Sequence, residues 1–317
     1  MTTRSDVLVA LRSAGEAGVS GEALAGRLGV SRVAVGKHVA GLRQAGYSIE
    51  AVPGSGYRLI ATPDLPLPDE VAPLLSSKFW VDLRGGGVTG STNDDARALA
   101  AAGAPEGTVV LASRQTAGRG RLGRDWESPD GGVYLSAVLR PAVAPAAVSS
   151  LALGVALGAA RGLEALGFAP RLKWPNDVLL GEGKVAGILL EMTAETDRVE
   201  RVVAGVGLNV RRPAHDAFEG AAYLSDGGLG VRTPVVAGAV LDGIAAAYAS
   251  WCTGGFAALR DAYAARFALA GCEVSVRDLR GMVRARGVAV GVDDGGRLLV
   301  EESGQVTPVT AGEVTLR

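Results

Sequence analysis

A segment rich in arginine and glycine is the strongest chemical signal in the chain. It reads QTAGRGRLGRDW over residues 115–126 and follows an apolar stretch typical of a buried strand. Its glycines expose backbone amides, and Arg119, Arg121 and Arg124 would repel one another in an empty loop. The segment therefore predicts a loop that binds an anion. A solvated turn and an unstructured nucleic-acid-binding tail are the alternatives.

Two lysines mark a second candidate site. Only four of the 32 basic residues are lysine, and two of them lie in KWPND at residues 173–177 and GKVAG at residues 183–187. A hairpin that turns near residues 181–183 would bring Lys173 and Lys184 onto neighbouring strands, with Asn176 and Asp177 at its rim. A surface cation beside a core tryptophan is the alternative interpretation.

The three asparagines of the chain lie in motifs of their own. Asn93 ends GSTN at residues 90–93, Asn176 belongs to KWPND, and Asn209 lies in GVGLNV at residues 205–210. In GSTN, Ser91 or Thr92 is suited to cap a helix that begins near Asp94. All three asparagines are predicted at strand ends or in the loops that follow them, where α/β proteins build ligand sites.

Composition limits the class of protein. The 317 residues are 48% hydrophobic and 21% charged with a net charge of −1, which is typical of a globular protein of two or three domains. We expect neither a signal peptide nor a membrane span, and hence a cytoplasmic protein. Cys252 and Cys272 match no metal-ligand spacing and are predicted to be buried thiols.

The first sixty residues predict a winged helix-turn-helix. Ser20 and Ser31 are placed to cap a second and a third helix, Gly29 ends the second, and the glycines around 53–56 supply a wing between two short strands. Seven Arg or Lys against four Asp or Glu give residues 1–60 a local net charge of +3, which favours DNA phosphates. A plain three-helix packing domain is the alternative. The candidate DNA-binding residues are Ser31, Arg32, Lys37, His38, Arg43 and Arg58.

The rest of the chain predicts two further domains. Prolines favour an extended linker over 63–76, after a DNA-binding domain at 1–62. Apolar strands alternate with helices over 77–268, which indicates a mixed α/β domain, and short β-branched runs over 269–317 indicate a small barrel. The strands predicted in the α/β domain are 108–112, 133–139, 185–192 and 199–210. The predicted fold class is therefore multidomain α/β (α+β).

The motifs GSTN, QTAGRGRLGRDW, KWPND, GKVAGILLE and GVGLNV resemble those of the biotin protein ligase family, in its order and approximate spacing. The resemblance covers nearly the whole chain. It extends to an amino-terminal winged helix-turn-helix and a carboxy-terminal SH3-like barrel, as in members that are both ligase and repressor. One departure is Gly90, where relatives often have an acidic residue.

The resemblance implies a two-step reaction. Biotin and ATP would form biotinyl-5′-AMP with Mg²⁺ as cofactor, and biotin would pass to a lysine of the biotin carboxyl carrier protein of acetyl-CoA carboxylase. Duplex DNA would be a further partner, and the family often forms homodimers once the adenylate is bound. A lipoate-type ligase and a non-catalytic biotin-sensing transcription factor are the alternatives.

Family resemblance also implies roles for individual residues. Those matched to biotin binding are Ser91, Thr92, Asn93, Gln115, Gly118, Arg119, Gly120, Arg121, Lys184 and Gly187. Those matched to ATP binding are Arg119, Arg121, Trp126, Lys173, Asn176, Asp177, Lys184, Asn209 and Arg317. Catalysis is assigned to Lys184, Arg119 and Arg121, and Mg²⁺ is expected near Asp177.

Overall fold

A computed structural model of the chain describes residues 3–54, 56–214, 218–228, 230–278 and 280–316. The chain separates into two compact units, Met1–Asp64 and Leu65–Arg317. Each unit is described by itself.

The first unit is three helices followed by a two-stranded hairpin. Its elements are α1 (Arg4–Ala14), α2 (Gly21–Leu28), α3 (Arg32–Gln44), β1 (Ser48–Val52) and β2 (Gly56–Ala61). The two strands pair antiparallel and enclose the predicted wing. This is the arrangement that the sequence predicts, although Ser55 of the wing lies outside the described residues.

Local signals in the sequence fix the helix ends of this unit. Ser20 accepts a hydrogen bond from the Ala23 amide at 3.0 Å, and Ser31 accepts one from the Ala34 amide at 3.1 Å. Gly29 ends α2 in the left-handed region, with φ of 66°. Both predicted caps are therefore confirmed. The core of this unit includes the buried side chains of Val7, Leu8, Leu11, Leu24, Val35, Val39 and Leu42.

A seven-stranded sheet forms the centre of the second unit. Its order is β3-β5-β7-β11-β10-β9-β8, and only the β3–β5 pair is parallel. A short parallel pair, β4 with β6, lies apart from it. The strands are β3 (Asp82–Gly85), β4 (Val88–Thr89), β5 (Thr108–Ala112), β6 (Arg114–Gln115), β7 (Val133–Leu139), β8 (Pro170–Lys173), β9 (Asp177–Leu180), β10 (Gly183–Ala194) and β11 (Val199–Leu208).

Strand register brings distant motifs into one row. Gly187 of β10 is the partner of Asp177 on β9 and of Gly207 on β11, and Gly207 is in turn the partner of Tyr134 on β7. These four residues, and the residues next to them in the chain, therefore lie at the same level of the sheet.

Helices cover the sheet of the second unit. They are α4 (Pro68–Val71), α5 (Thr92–Ala101), α6 (Leu151–Ala165), α7 (Thr233–Gly254) and α8 (Arg260–Ala264). Of these, α4 lies in the segment predicted as an extended linker. Its start is favoured by Pro68, because proline is tolerated in the first turn of a helix.

Two apolar segments, Pro145–Ala165 and Thr233–Gly254, are long enough to cross a membrane by length and composition alone. Burial inside the protein accounts for 72% and 56% of their most apolar windows. Helices α6 and α7 pack against each other in the main hydrophobic core. Their apolar character is therefore explained by burial in the core. Length and composition alone are weak evidence that such helices span a membrane.

The carboxy-terminal strands form a five-stranded antiparallel sheet with the order β15-β14-β13-β12-β16. They are β12 (Glu273–Arg277), β13 (Val283–Val292), β14 (Leu298–Glu302), β15 (Gln305–Val309) and β16 (Glu313–Leu316). The indole of Trp174 donates a hydrogen bond to the Gly296 carbonyl at 3.0 Å, which joins this sheet to the KWPND turn. The predicted fold class is confirmed.

Two details of the sequence analysis are wrong. The two cysteines were predicted to be buried, but Cys252 is exposed on α7 and Cys272 is half-buried. Lys173 lies on β8 and Lys184 on β10, so they are not on neighbouring strands. The chain turns a first time between β8 and β9 and a second time between β9 and β10, which inserts β9 between the two lysines.

Candidate active site

A cavity over β10 and β11 collects residues from every predicted motif of the second unit. Helix α5 contributes its first turn, β10 and β11 contribute the floor, and the arginine-glycine loop covers one side. The predicted residues that line this cavity are Ser91, Thr92, Asn93, Gln115, Arg119, Gly120, Arg121, Trp126, Asn176, Lys184 and Gly187. The fold thus brings together residues that are far apart in the chain, such as Ser91 and Gly205, which are separated by about 115 positions.

The remaining predicted residues lie close by or outside this cavity. Lys173 and Asp177 line an adjoining cavity together with Arg121 and Lys184. Asn209 lines a third cavity with Trp126 and Lys184. Gly118 lines none of the three, and Arg317 lies outside the described residues.

Buried hydroxyl and amide groups form one wall of the cavity. Ser91 caps α5 by accepting a hydrogen bond from the Asp94 amide at 3.4 Å. The Thr92 amide and hydroxyl both donate to Gln115 Oε1, at 2.8 and 3.0 Å. Gln115 Nε2 in turn donates to Ser128 Oγ at 2.9 Å. Because these groups are fixed by one another, the wall presents preorganised donors and acceptors to a polar ligand.

Three residues of this wall were not predicted from the sequence. Ser136 lies on β7, and its hydroxyl is 2.6 Å from Asn93 Oδ1 and 2.8 Å from Thr92 Oγ1. Glu191 on β10 accepts a hydrogen bond from Asn93 Nδ2 at 2.8 Å, and Asp94 is the third residue of α5. The signal for Ser136 was a hydroxyl within the apolar run VYLSAVL, and the signal for Glu191 was an acid that directly follows the apolar run VAGILL.

Lys184 lies where the three cavities meet. Its ammonium is 2.7 Å from Asp177 Oδ1 and 4.9 Å from the centre of the Trp126 ring. The Lys184 side chain is 33% exposed, so its charge remains accessible from the cavity. A carboxylate on one side and an aromatic face on the other hold the ammonium in one place.

The main chain around Lys184 is fixed as well. Asn209 Nδ2 donates to the Lys184 carbonyl at 3.2 Å, and the Lys184 amide donates to the Gly220 carbonyl at 2.8 Å. Asn176 acts similarly on β10, because its Nδ2 donates to the Ile188 carbonyl at 2.9 Å. Two of the three asparagines thus brace the backbone of the site with their amides.

Each arginine of the loop has a partner, contrary to the expectation of unpaired cations. Arg119 makes two hydrogen bonds of 2.7 Å to Asp94, which raise the pKa of Arg119 and lower the pKa of Asp94. Arg121 donates to Asn176 Oδ1 at 3.1 Å, and burial lowers the pKa of Arg121. Arg124 is ion-paired with Glu313 of β16. Neighbouring acids and amides, absent from a local view of the loop, explain the difference.

Trp126 lies on glycines of the floor. A Cβ atom added at Gly207 would overlap the Trp126 indole, and one added at Gly187 would come within 3.0 Å of both Trp126 Cζ3 and Lys184 Cε. The indole Nε1 is buried and has no hydrogen-bond partner among the described residues. Glycine at these two strand positions therefore lets the aromatic ring approach the sheet closely.

The predicted DNA-binding residues of the first unit fall into two groups. Arg43 donates two hydrogen bonds to the Ile49 carbonyl, at 2.9 and 2.7 Å, and Arg58 is 3.0 Å from Glu50. His38 is half-buried, and its charge helps to lower the pKa of Asp6, after the larger effect of the Thr3 hydrogen bonds. Arg32 and Lys37 are exposed, and Ser31 is used as a helix cap.

The exposed side of α3 has a composition that the sequence analysis did not single out. Val33, Lys37, Ala40 and Gln44 follow one another in steps of four, three and four residues, and all four are exposed. Val33 is 70% exposed although it is apolar. These residues define the α3 outer face.

Sequence profiles of known families match all three parts of the chain. The profile of the Biotin/lipoate A/B protein ligase family matches residues 85–209, an HTH domain profile matches residues 3–58, and the profile of the Biotin protein ligase C terminal domain matches residues 271–317.

Full-length relatives have the same organisation. The chain is 36% identical to the Bifunctional ligase/repressor BirA of Bacillus subtilis, over 99% of either chain. It is 34% identical to the Bifunctional ligase/repressor BirA of Escherichia coli, over 98% of this chain and 96% of the relative. Among solved structures, the biotin protein ligase of Aquifex aeolicus in complex with biotin and ATP has a TM-score of 0.64 and 28% identity, over 75% of this chain and 99% of that one.

The fold and the cavity define a protein ligase of the biotin and lipoate class, preceded by a helix-turn-helix unit. More specifically, the chain belongs to the biotin protein ligase family, and its full-length resemblance is to members that are bifunctional ligases and repressors.

Proposed function

We propose that this chain is a bifunctional biotin protein ligase. It joins biotin to ATP as biotinyl-5′-AMP and passes biotin to a lysine of the biotin carboxyl carrier protein of acetyl-CoA carboxylase. The observation that carries the proposal is the position of Lys184, between a wall of buried hydrogen-bonding groups and the Trp126 ring. The Aquifex aeolicus complex supports biotin and ATP as the substrates, and we propose a cytoplasmic location.

The chemistry of the first step is set by the poor reactivity of a carboxylate toward amines. An oxygen of the biotin carboxylate attacks the α-phosphorus of ATP, and the bond to pyrophosphate breaks as that bond forms. Negative charge collects on the phosphate oxygens in the transition state, where a fixed ammonium is most effective. We assign this stabilisation to Lys184 of β10 and Arg121 of the loop, whereas Arg119, the third predicted catalytic cation, is ion-paired with Asp94.

In the second step, the amine of the acceptor lysine attacks the activated carbonyl, and AMP leaves with the electrons of the broken bond. No serine or cysteine nucleophile of the enzyme is needed, since the mixed anhydride is already activated. Enclosure by the arginine-glycine loop protects that anhydride from water.

We assign the ligand contacts as follows. Ser91, Thr92 and Gln115 bind the ureido group of biotin, because the buried Ser91 and Thr92 and the half-buried Gln115 line the cavity with hydrogen-bonding groups. Trp126 and Asn209 line the cavity proposed for adenine. Lys173, Asn176 and Asp177 line the adjoining cavity proposed for the phosphates. The proposed contact of Arg317 with ATP rests on the family resemblance alone, since Arg317 lies outside the described residues.

Mg²⁺ is proposed to enter with ATP. No group of three or more His, Cys, Asp or Glu side chains with metal-binding geometry occurs among the described residues. Magnesium is commonly held by one or two carboxylates together with substrate phosphates, and Asp177 supplies a carboxylate beside the proposed phosphate site. When bound, the ion would neutralise phosphate charge.

A transfer assay tests the ligase function. With biotin, ATP and the biotin carboxyl carrier protein present, we expect the carrier to gain one biotinyl group and AMP to be released in equal amount. Mass spectrometry of the carrier measures both the group and its site. Binding of biotin without release of AMP would indicate the non-catalytic sensor instead, and a preference for lipoate would indicate the lipoate-type ligase.

We further propose that the first unit binds duplex DNA and that the chain acts as a biotin-responsive repressor, dimerising when the adenylate is bound. The α3 outer face is the part of the unit that can enter the major groove, since it is exposed and free of acidic residues. On this face Lys37 is available for a phosphate or a guanine, and Gln44 for an adenine. Val33 and Ala40 are available for thymine methyl groups.

Lys37→Ala and Arg43→Ala are expected to have different effects. Lys37→Ala should weaken binding to mixed-sequence duplex DNA and lower the slope of log K against log salt by about 1. Arg43→Ala should instead lower the melting temperature, because it removes both hydrogen bonds to the Ile49 carbonyl. Fluorescence anisotropy across a salt series and thermal unfolding measure these effects.

Lys78→Ala is the matched control for Lys37→Ala, because Lys78 is an exposed lysine of the second unit. It should leave the salt slope unchanged. An unaltered slope in Lys37→Ala would show that the α3 outer face does not contact DNA.

A further inference from the structure

Two acids and two arginines form a cluster where the loop meets α5. Arg119 contacts Asp94 through both Nη atoms at 2.7 Å, and its Nη2 is 3.7 Å from Glu191 Oε1. Arg97 contacts the same two acids, at 2.5 Å from Asp94 and 3.6 Å from Glu191. These four residues are the α5 charge cluster.

The Arg119–Asp94 contact has the geometry of a strong ion pair. Two parallel N–H to oxygen bonds fix the guanidinium in orientation as well as in distance, which a single contact would not do. The Arg119 side chain is 34% exposed and that of Asp94 38%, so both are half-buried. One further charged group limits the freedom of each partner, Glu191 beside Arg119 and Arg97 beside Asp94, which lowers the entropy lost on pairing.

The Arg119–Asp94 ion pair is linked to residues that line the cavity. Arg119 lies between Gly118 and Gly120, whose main-chain groups bind within the loop: the Gly118 carbonyl accepts from the Trp126 amide at 3.0 Å, and the Gly120 amide donates to the Arg124 carbonyl at 2.7 Å. The Arg119 side chain adds an anchor outside the loop, on α5 and β10. Asp94 is bound through its amide to Ser91, and Glu191 is bound to Asn93, both of which line the cavity. The α5 charge cluster thus connects the arginine-glycine loop to the wall of hydroxyl and amide groups in the cavity.

The charged partners of Arg119 distinguish it from Arg121. It is bound to carboxylates of α5 and β10, whereas Arg121 meets the neutral amide of Asn176. Asp94 and Glu191 therefore balance the charge of Arg119, and that charge serves to hold the loop.

We propose that Asp94, supported by Glu191, is a positioning residue of the ligase: it holds Arg119 and so keeps the loop 117–125 closed over bound biotin and biotinyl-5′-AMP. The inference rests on the proposed ligase function. It concerns retention of these ligands, and the chemical step itself remains with Lys184 and Arg121.

Asp94→Asn tests the proposal, because it keeps the shape of the side chain and removes its charge. We expect the Kd for biotin and the dissociation rate of preformed biotinyl-5′-AMP to rise about tenfold, with kcat at saturating biotin and ATP changed by less than about twofold. Titration calorimetry and a chase with unlabelled adenylate measure these quantities.

Asp95→Asn is the matched control. Asp95 is the next residue of the same helix turn, is exposed, and contacts Thr89 outside the cluster. It removes the same charge from the amino terminus of α5, so any effect on the helix itself appears in both variants. Its Kd and dissociation rate should stay near those of the wild type.

The charge swap Asp94→Arg with Arg119→Asp distinguishes positioning from a general role in folding. Either single reversal should weaken biotin binding more than Asp94→Asn does, and the double variant should recover most of that loss. A double variant no better than the singles, or an Asp94→Asn protein that retains ligands like Asp95→Asn, would overturn the proposal. A wild-type protein that forms no biotinyl-5′-AMP would instead refute the ligase function.

Discussion

Lys184→Met is expected to slow formation of biotinyl-5′-AMP by about 10²- to 10³-fold, equivalent to about 3–4 kcal/mol of transition-state stabilisation. The variant keeps the length of the side chain and loses its charge. In the ground state, the biotin carboxylate and the ATP phosphates are separately neutralised, whereas negative charge concentrates between them in the transition state. Asp177 and Trp126 already hold the Lys184 ammonium in place, so it needs no reorganisation. Single-turnover kinetics with radiolabelled ATP measure the rate.

Lys184→Arg should also lose most of the rate. A planar guanidinium cannot take the place of a compact ammonium between Asp177 and the Trp126 ring, even though it keeps the charge. Lys78→Met is the control, and it should be nearly silent because Lys78 is exposed and lines none of the three cavities described. Circular dichroism checks that each variant is folded. A rate near that of the wild type in Lys184→Met would refute the assignment of Lys184.

The motifs of the candidate site were recognisable because this chain uses some residue types very rarely. With arginine as its common cation, a lysine in GKVAG stood out, and so did each of the three asparagines. Asn176 and Asn209 do lie just after strands, whereas Asn93 lies in the first turn of α5; all three are around the cavities. Rarity indicated where to look, although it did not indicate what each amide does. Asn209 and Asn176 brace the backbone rather than point freely into the site.

The residues that the sequence analysis missed are those whose role depends on distant partners. Strands β5 to β9 lie between Asp94 and Glu191 in the sequence, yet both acids contact Arg119. Nothing in the local sequence around Asp94 predicts this contact, since an acid in the first turn of a helix is already explained by the helix dipole. The expectation of repelling arginines failed for the same reason.

Buried strands were predicted with the best accuracy. Continuous apolar runs bounded by polar or glycine residues placed β5 at Thr108–Ala112 and β7 at Val133–Leu139, with the bounds that the structure has. Sheet order could not be predicted in this way, because strand neighbours are chosen by long-range packing. The error over Lys173 is an example, since the short strand β9, between the KWPND turn and the hairpin near residues 181–183, was not placed between the two lysines.

Close packing of α6 on α7 is a further feature that periodicity does not reveal. Gly158 and Gly162 of α6 face the backbone of α7: a Cβ atom at Gly158 would lie 2.6 Å from Ile244 Cα and 2.8 Å from the Gly243 carbonyl oxygen. Backbone atoms cannot rotate away as a side chain can, so the two helices would have to separate. Glycine at this position is therefore required by the packing, despite its poor helix propensity.

Gly158→Ala should consequently lower the free energy of unfolding by about 1–3 kcal/mol, the usual effect of overpacking a core. Gly154→Ala is the matched control on the same helix, because its added Cβ would meet only side-chain atoms, with Leu259 Cδ1 nearest at 3.2 Å. It should be neutral or stabilising by up to about 1 kcal/mol, since alanine favours the helix. Urea unfolding of the full chain measures both values. If Gly158→Ala gained stability as Gly154→Ala does, the helices would not be in backbone contact, and the core that supports β10 and β11 beneath the cavity would have to be packed differently.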